Sequence, residues 1–296
     1  MYPHFICIGA QRAGTTWLHS MLRERTDIWL PRIKEIHYFD RVFPLKKDDW
    51  QYKARNRVSQ VKQRLQRMTF EKLINFLKNS KYNDIKWELN YYLREINDSW
   101  YESLFEPAGS RIAGDITPCY ALLSDVGVQH VASLVPNAKI LFLIRNPIYR
   151  AYSHAVKDFT RFSNKRPQDI PLAEYRQHFN QPNSILRGQY LNTIDLWTRY
   201  YSEQQVMVRF YDEIKNSPES LLSSVLHHIG ANNDISFDAD YKRSVNASKE
   251  YAIDPALKIE LANIYRNEIY GLAERFGNYA SEWASECEDL LSNRIK

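Results

Sequence analysis

The chain is 296 residues long with 44% hydrophobic, 14% aromatic and 25% charged residues, a composition that supports a buried core and excludes disorder along most of its length. Net charge is +5, yet nine Lys or Arg against two Asp give residues 41–67 a local +7, leaving −2 for the rest. No apolar run approaches the ~18 residues of a membrane-spanning helix, and three cysteines, at 7, 119 and 287, are too few and too scattered for a disulfide framework or a zinc cluster, which fits a reducing cytoplasm.

The chain starts without a basic leader or a cleavage site, so no secretory signal is expected. Residues 4–9, HFICIG, end an apolar run at glycine, and Trp17, Leu18, Met21 and Leu22 follow at helical spacing. This predicts a strand, a tight turn and an amphipathic helix, with Cys7 in the core. Weaker strands are expected at 28–30 and 111–114. Residues 138–144, AKILFLI, lack alternation, as a central parallel strand buried on both faces does; Asn146 and Pro147 then supply an N-cap and a first-turn proline. A further strand is predicted at 206–210, with a helix from Pro218 to about Ile229. Long helical patterns occupy 53–79, 184–202, 255–273 and 281–292. Strands alternating with helices imply an α/β fold of three layers, a central parallel sheet flanked by helices. With no repeat or linker in the sequence, a single domain over 1–296 is expected, carrying a basic helical insertion at about 41–80. That basic stretch is either a solvated helix face or a surface for an anionic ligand, and it matches no nucleic-acid-binding module.

The segment GAQRAGTT at 9–16 joins the first strand to its helix. Its glycines and the helix N-terminus would present backbone N–H groups to a phosphate, with the Thr15 and Thr16 hydroxyls as further donors. The nucleoside-triphosphate loop G-x-x-x-x-G-K-[ST] has lysine where this chain has Thr15, and an acidic magnesium-holding residue would end a strand where this chain has Arg145. Arg12 and Arg145 instead suit neutralisation of anions without a metal, which disfavours a kinase; a glycine turn that binds nothing is the alternative. Strands in a parallel sheet bring both loops to one edge. Along the helix from Pro147, Arg150, Ser153, His154 and Lys157 share one face and would extend a second phosphate site.

QRAGTT at 11–16, KEIHYFD at 34–40 and RNPIYRAYS at 145–153 together resemble the sulfotransferases that use 3′-phosphoadenosine 5′-phosphosulfate (PAPS), in particular those related to heparan sulfate sulfotransferases and their bacterial counterparts. GDITP at 114–118, RGQY at 187–190 and YDE at 211–213 are similar to family segments as well. The resemblance implies a P-loop-like fold and PAPS as cofactor, with no metal required. It implies that Arg12, Ala13, Gly14, Thr15, Thr16 and Trp17 hold the 5′-phosphosulfate end, that Arg145 and Ser153 grip the 3′-phosphate, and that Ser248, Lys249 and Tyr251 lie in a segment closing over the cofactor. Two departures stand out: Arg12 replaces the lysine of many relatives, and Ile116 stands where heparan-type relatives often place a sugar-contacting lysine.

Transfer of a sulfuryl group depends on alignment and on stabilising charge at the leaving phosphate, the role expected of Arg12 and the loop amides. The acceptor hydroxyl or amine needs a base. The resemblance implies Glu35, and an extended 34–40 would put Glu35 and His37 on one side and Ile36 and Tyr38 on the other. His37 would orient the acceptor or share its proton, with Lys34, Asp40 and Lys157 as further acceptor-site residues. The expected acceptor is a carbohydrate, including an anionic glycan, with no nucleic acid and no membrane span. A non-catalytic nucleotide-binding protein or a small-molecule kinase is the alternative.

Overall fold

The structure is a computed structural model that describes residues 1–43, 82–162, 166–233 and 252–292. The helical pattern at 53–79, most of the basic stretch and the three residues Ser248, Lys249 and Tyr251 lie outside the described residues. Five strands form one sheet: β1 (Phe5–Gly9), β2 (Ile28–Trp29), β3 (Ile112–Ile116), β4 (Lys139–Ile144) and β5 (Val206–Phe210), in the order β2-β3-β1-β4-β5. Every pairing is parallel, so all five carboxyl ends emerge at one edge. The central strands β1 and β4 are buried along nearly their whole length, whereas edge strand β5 is half-buried until Phe210. That difference is what the unbroken apolar runs of the first two encode.

The described helices, in chain order, are α1 (Thr15–Arg23), α2 (Phe39–Val42), α3 (Tyr82–Leu93), α4 (Asp98–Ser103), α5 (Asp125–Leu134), α6 (Pro147–Phe162), α7 (Leu172–Phe179), α8 (Pro182–Leu186), α9 (Tyr190–Thr198), α10 (Tyr211–Asn216), α11 (Pro218–Ile229), α12 (Pro255–Phe276) and α13 (Asn278–Ser292). They flank the sheet, giving the expected α/β architecture. Asn146 caps α6 as its sequence implied, its Oδ1 accepting from the Ile148 N–H at 3.0 Å. The C-terminal pair α12 and α13 pack on each other, and α12 also packs on α6. None of the described helices is long and apolar enough to cross a membrane.

Three expectations need correction. The helical pattern at 184–202 is two helices, α8 and α9, parted at residues 187–189. Gly188 faces the Tyr265 ring so closely that a Cβ there would stand 2.5 Å from Cε1, and the chain turns to pass it. The segment 34–40 is extended only at its start, because His37 takes the left-handed conformation (φ 56°) and α2 begins at Phe39. The strand placed at 111–114 runs instead over Ile112–Ile116, its last residues held by pairing with β1.

Close packing decides the residue at the centre of the sheet. Gly114 pairs with Phe5, and a Cβ on Gly114 would lie 2.0 Å from the Phe5 Cζ. Gly114→Ala should therefore cost about 1–3 kcal/mol of stability through overpacking, measured by urea denaturation. Recovery of part of that loss in the double variant with Phe5→Leu would tie the cost to the ring; full independence of the two substitutions would break the link.

Candidate active site

After β1 the chain turns toward β2, and after β4 toward β5, so a crevice opens between their carboxyl ends, where open α/β sheets hold ligands. The loop after β1 lines one side. Gly14 lies at φ 90°, and a Cβ there would stand 2.2 Å from the Ile214 Cδ1, so both conformation and space require glycine. Arg12, itself at φ 70°, donates from Nε to the Ser153 Oγ at 2.9 Å. Arg145, at the end of β4, reaches the carbonyl of Arg12 with Nη1 at 3.4 Å and lies over the Tyr211 ring, 4.4 Å from its centroid. The Tyr190 hydroxyl fixes the Arg145 backbone by donating to its carbonyl at 2.9 Å. Burial, then the neighbouring Arg145, lower the proton affinity of Arg12. Among the described residues Arg145 makes no ion pair. Two guanidinium groups that repel each other across a crevice fit an anion between them.

Arg145 and Ser153 open onto a cleft of about 620 Å³ whose far wall carries Lys258, Trp283 and Glu286 from α12 and α13. Thr15 is buried at the start of α1, while Ala13 and Trp17 pack into the core, so Ala13 and Trp17 present backbone rather than side chain to the crevice.

A short chain of contacts joins this loop to the proposed base. Lys34 Nζ lies 3.3 Å from the Thr15 Oγ1 and 3.2 Å from the Glu35 Oε1. Glu35 Oε2 meets His37 Nε2 at 3.2 Å, and His37 Nδ1 lies 2.9 Å from Asp40 Oδ2. Burial alone would raise Glu35, but His37 and Lys34 outweigh it and hold the carboxyl at about 2. Burial would lower His37, but Asp40, Cys119 and Glu35 push it up to about 12. His37 is bracketed by two carboxylates, one against each ring nitrogen, a setting that favours its protonated form. Lys157 is exposed nearby, its proton affinity lowered by partial burial and by Arg12.

The base segment hangs from a buried carboxylate that sequence reasoning left without a role. Asp115, fully buried at the end of β3, accepts from the hydroxyls of Thr117 (2.7 Å), Tyr120 (3.0 Å) and Tyr101 (3.0 Å). Thr117 Oγ1 in turn accepts the N–H of Ile36, and the Tyr120 hydroxyl that of Tyr38, both at 3.0 Å. Ile36 and Tyr38 flank His37, so Glu35 and His37 are set by two hydroxyl relays. Burial raises Asp115 to about 6 against the pull of those donors. The sequence signal was an acid inside an apolar strand, which seldom occurs without partners.

The polar face expected along α6 divides. Ser153 faces the crevice, but Arg150 is fully buried, donating from Nη2 to the Ser184 carbonyl at 3.0 Å and the Tyr265 hydroxyl at 3.3 Å. His154 is pushed down to about 3 by burial and then by Arg150, so it is neutral. Neither is available to a phosphate. Helical phase put these residues on one side but could not tell that α7, α8 and α12 cover part of it.

A parallel sheet with an arginine-bearing anion crevice beside an ionised carboxylate defines a class of group-transfer site. The sequence profile of the Sulfotransferase family matches residues 3–234, and the chain belongs to that family. It is similar to the human bifunctional heparan sulfate N-deacetylase/N-sulfotransferase 1, 21% identical over 251 residues, which cover 80% of this chain and 23% of that protein. It is also similar to the Caenorhabditis elegans bifunctional heparan sulfate N-deacetylase/N-sulfotransferase 1, 29% identical over 147 residues, 45% of this chain and 16% of the other. The chain thus spans less than a quarter of the length of these relatives. Among solved structures, a sulfotransferase from Alicyclobacillus acidocaldarius superposes with a TM-score of 0.64 at 21% identity, covering 96% of this chain and 99% of that one; the likeness is one of fold.

The carboxylate and imidazolium cluster makes stability depend on pH. Glu35, lowered from an ordinary 4.5, contributes stability that is present above 4.5 and lost as pH falls toward about 2. His37, raised from an ordinary 6.5, contributes stability that is present below 6.5 and lost as pH rises toward about 12. His37→Gln should therefore lower the melting temperature most between about pH 4.5 and 6.5, and its gap from the unmodified protein should shrink above that window. A gap that widens from about pH 7 to 9 would contradict the assignment.

Proposed function

We propose that the chain transfers the sulfuryl group of PAPS to an acceptor hydroxyl or amine, on a carbohydrate in the first instance, by in-line displacement with Glu35 as general base. One observation carries the reading: Lys34 touches both the phosphate-loop hydroxyl of Thr15 and the Glu35 carboxylate, so an anion site and an ionised base lie one side chain apart. The crevice suits an anionic nucleotide because Arg145, at its edge, has no carboxylate partner among the described residues and opens onto the cleft of about 620 Å³. When bound, PAPS would supply the activated sulfuryl group on a phosphate leaving group.

In this reading Arg12, the backbone of Ala13 to Trp17 and the hydroxyls of Thr15 and Thr16 hold the phosphosulfate end, while Arg145 and Ser153 hold the 3′-phosphate. Glu35 accepts the acceptor's proton. His37 orients Glu35, and through it the acceptor, Asp40 fixes that ring, and Lys34 and Lys157 stabilise negative charge at the reacting centre. Lys34 also tunes the base: drawn toward an anion on the loop, it releases one of the cations that hold Glu35 low and raises its basicity when the donor is in place. Glycan acceptors are favoured by the likeness to the heparan sulfate N-deacetylase/N-sulfotransferases. Part of the basic stretch at 41–67, which follows Glu35 closely in sequence, would attract an anionic glycan. No protein residue in this scheme requires a metal ion, and the single-domain organisation with an insertion at about 41–80 belongs to the same reading.

Two measurements test it. Arg145→Ala should weaken binding of adenosine 3′,5′-bisphosphate ~10- to 150-fold, the loss of one charge-assisted bond of about 1.5–3 kcal/mol, read by calorimetry; unchanged affinity removes the 3′-phosphate assignment. Glu35→Gln should lower turnover with labelled PAPS and a glycan acceptor by ~10²- to 10⁴-fold while nucleotide affinity stays within a few-fold. A loss of only a few-fold in turnover would deny Glu35 the role of base.

A further inference from the structure

A second cluster of titratable side chains lies away from the base, between α6 and α7. His154 and Asp158 are one turn apart on α6, and His178 comes from α7. His178 Nε2 lies 3.1 Å from Asp158 Oδ2 and His154 Nε2 3.7 Å from the same oxygen. One potential ligand atom from each residue falls within 4.8 Å of the others. The two rings face each other at 5.3 Å with an interplanar angle of 62°.

We propose that His154, Asp158 and His178 form a binding site for a divalent transition-metal ion of the zinc class, with the fourth position left to water. Geometry is the first argument. Bonds of about 2.0–2.2 Å to nitrogen and oxygen in a tetrahedral site place neighbouring ligand atoms roughly 3.3–3.5 Å apart, and the two measured separations, 3.1 and 3.7 Å, bracket that value. No large rearrangement is needed to receive an ion. The second argument is an unsatisfied group. His154 has only 15% of its side chain exposed, and its Nε2, 3.7 Å from the Asp158 Oδ2, stands beyond hydrogen-bond distance; the Nδ1 atoms of His154 and His178 face away from that centre and are buried without a partner among the described residues. An ion at the centre gives His154 a partner for Nε2.

The surroundings select the chemical class. Arg150 and Arg187 act on His154 with positive charge, and only one carboxylate belongs to the cluster. A hard cation held by oxygen and charge, such as magnesium or calcium, has too few ligands here. Coordination through neutral imidazole nitrogen suits zinc and its neighbours. Bound there, the ion would clip α7 to the helix that carries Ser153, and so would brace one wall of the crevice. It is a structural ion in this account, apart from the sulfuryl chemistry.

The experiment uses the full chain, stripped with a chelator and exchanged into metal-free buffer. Zinc should then bind at one ion per chain and raise the melting temperature, and cobalt(II) substituted for it should give the intense visible bands of a tetrahedral nitrogen and oxygen site, without sulfur-to-metal charge transfer. His154→Ala and His178→Gln should each weaken zinc at least ~10²-fold, while Cys119→Ser leaves it unchanged. Near-UV circular dichroism reports whether each variant is folded, and the cobalt spectrum of the unmodified chain tests the site even where a variant is not. Absence of zinc binding, a sulfur charge-transfer band, or binding lost in Cys119→Ser and kept in both histidine variants would overturn the proposal; the last two would move the ion to His37, Asp40 and Cys119.

Discussion

The segment that carries Glu35 and His37 depends on one buried negative charge. Asp115 would be costly inside the sheet without partners, and the three hydroxyls that satisfy it are not passive. Two of them pass the polarity outward, each donating to the carboxylate and accepting a backbone N–H from the segment that carries Glu35 and His37. A segment whose Ile36, Tyr38 and Phe39 side chains are already buried in the core is thereby tied by its backbone to the end of β3 as well. Replacing Asp115 by a neutral residue would release both relays together, because Thr117 and Tyr120 would lose the acceptor that orients their protons.

Charge is distributed in opposite senses on the two sides of the crevice. Arg12 and Arg145 bring two cations together at the sheet edge, Arg145 lowering the proton affinity of Arg12, and an anion there would relieve that repulsion. A few ångströms away the order is reversed: Glu35 and Asp40 bracket the imidazolium of His37, with Lys34 closing the row. Lys34 therefore belongs to both halves. Under the proposed function, this arrangement would couple occupancy of the anion site to the basicity of the carboxylate through one ammonium group.

Much of this was legible in the sequence where a local rule decides the outcome. The unbroken apolar run of β4, the Asn146 cap with Pro147, and the glycine-bearing turn after β1 are each fixed by nearest-neighbour physics, and each appears where expected. The pairing of Glu35 with His37 was also readable, although for a partly different reason: the extended alternation stops at a left-handed residue and the two side chains still meet. What could not be read were properties that depend on which element packs where. Arg150 and His154 look like solvent-facing cations until α7, α8 and α12 are laid over them, and the helix at 184–202 looks continuous until the Tyr265 ring is pressed on Gly188. Asp115 was visible as an anomaly, an acid in a strand, but one of its partners, Tyr101, comes from α4 and only the fold brings it there.

The cleft beside Arg145 is built from two parts of the chain. Arg145 and Ser153 lie within residues 3–234, the part matched by the family profile, while Lys258, Trp283 and Glu286 come from the helical pair that follows. Substitutions on the cleft-facing side of α12 and α13 can change how long a bound molecule stays, and therefore how fast a spent one leaves. In a protein whose turnover is limited by departure rather than by bond breaking, that C-terminal pair is where speed would be adjusted.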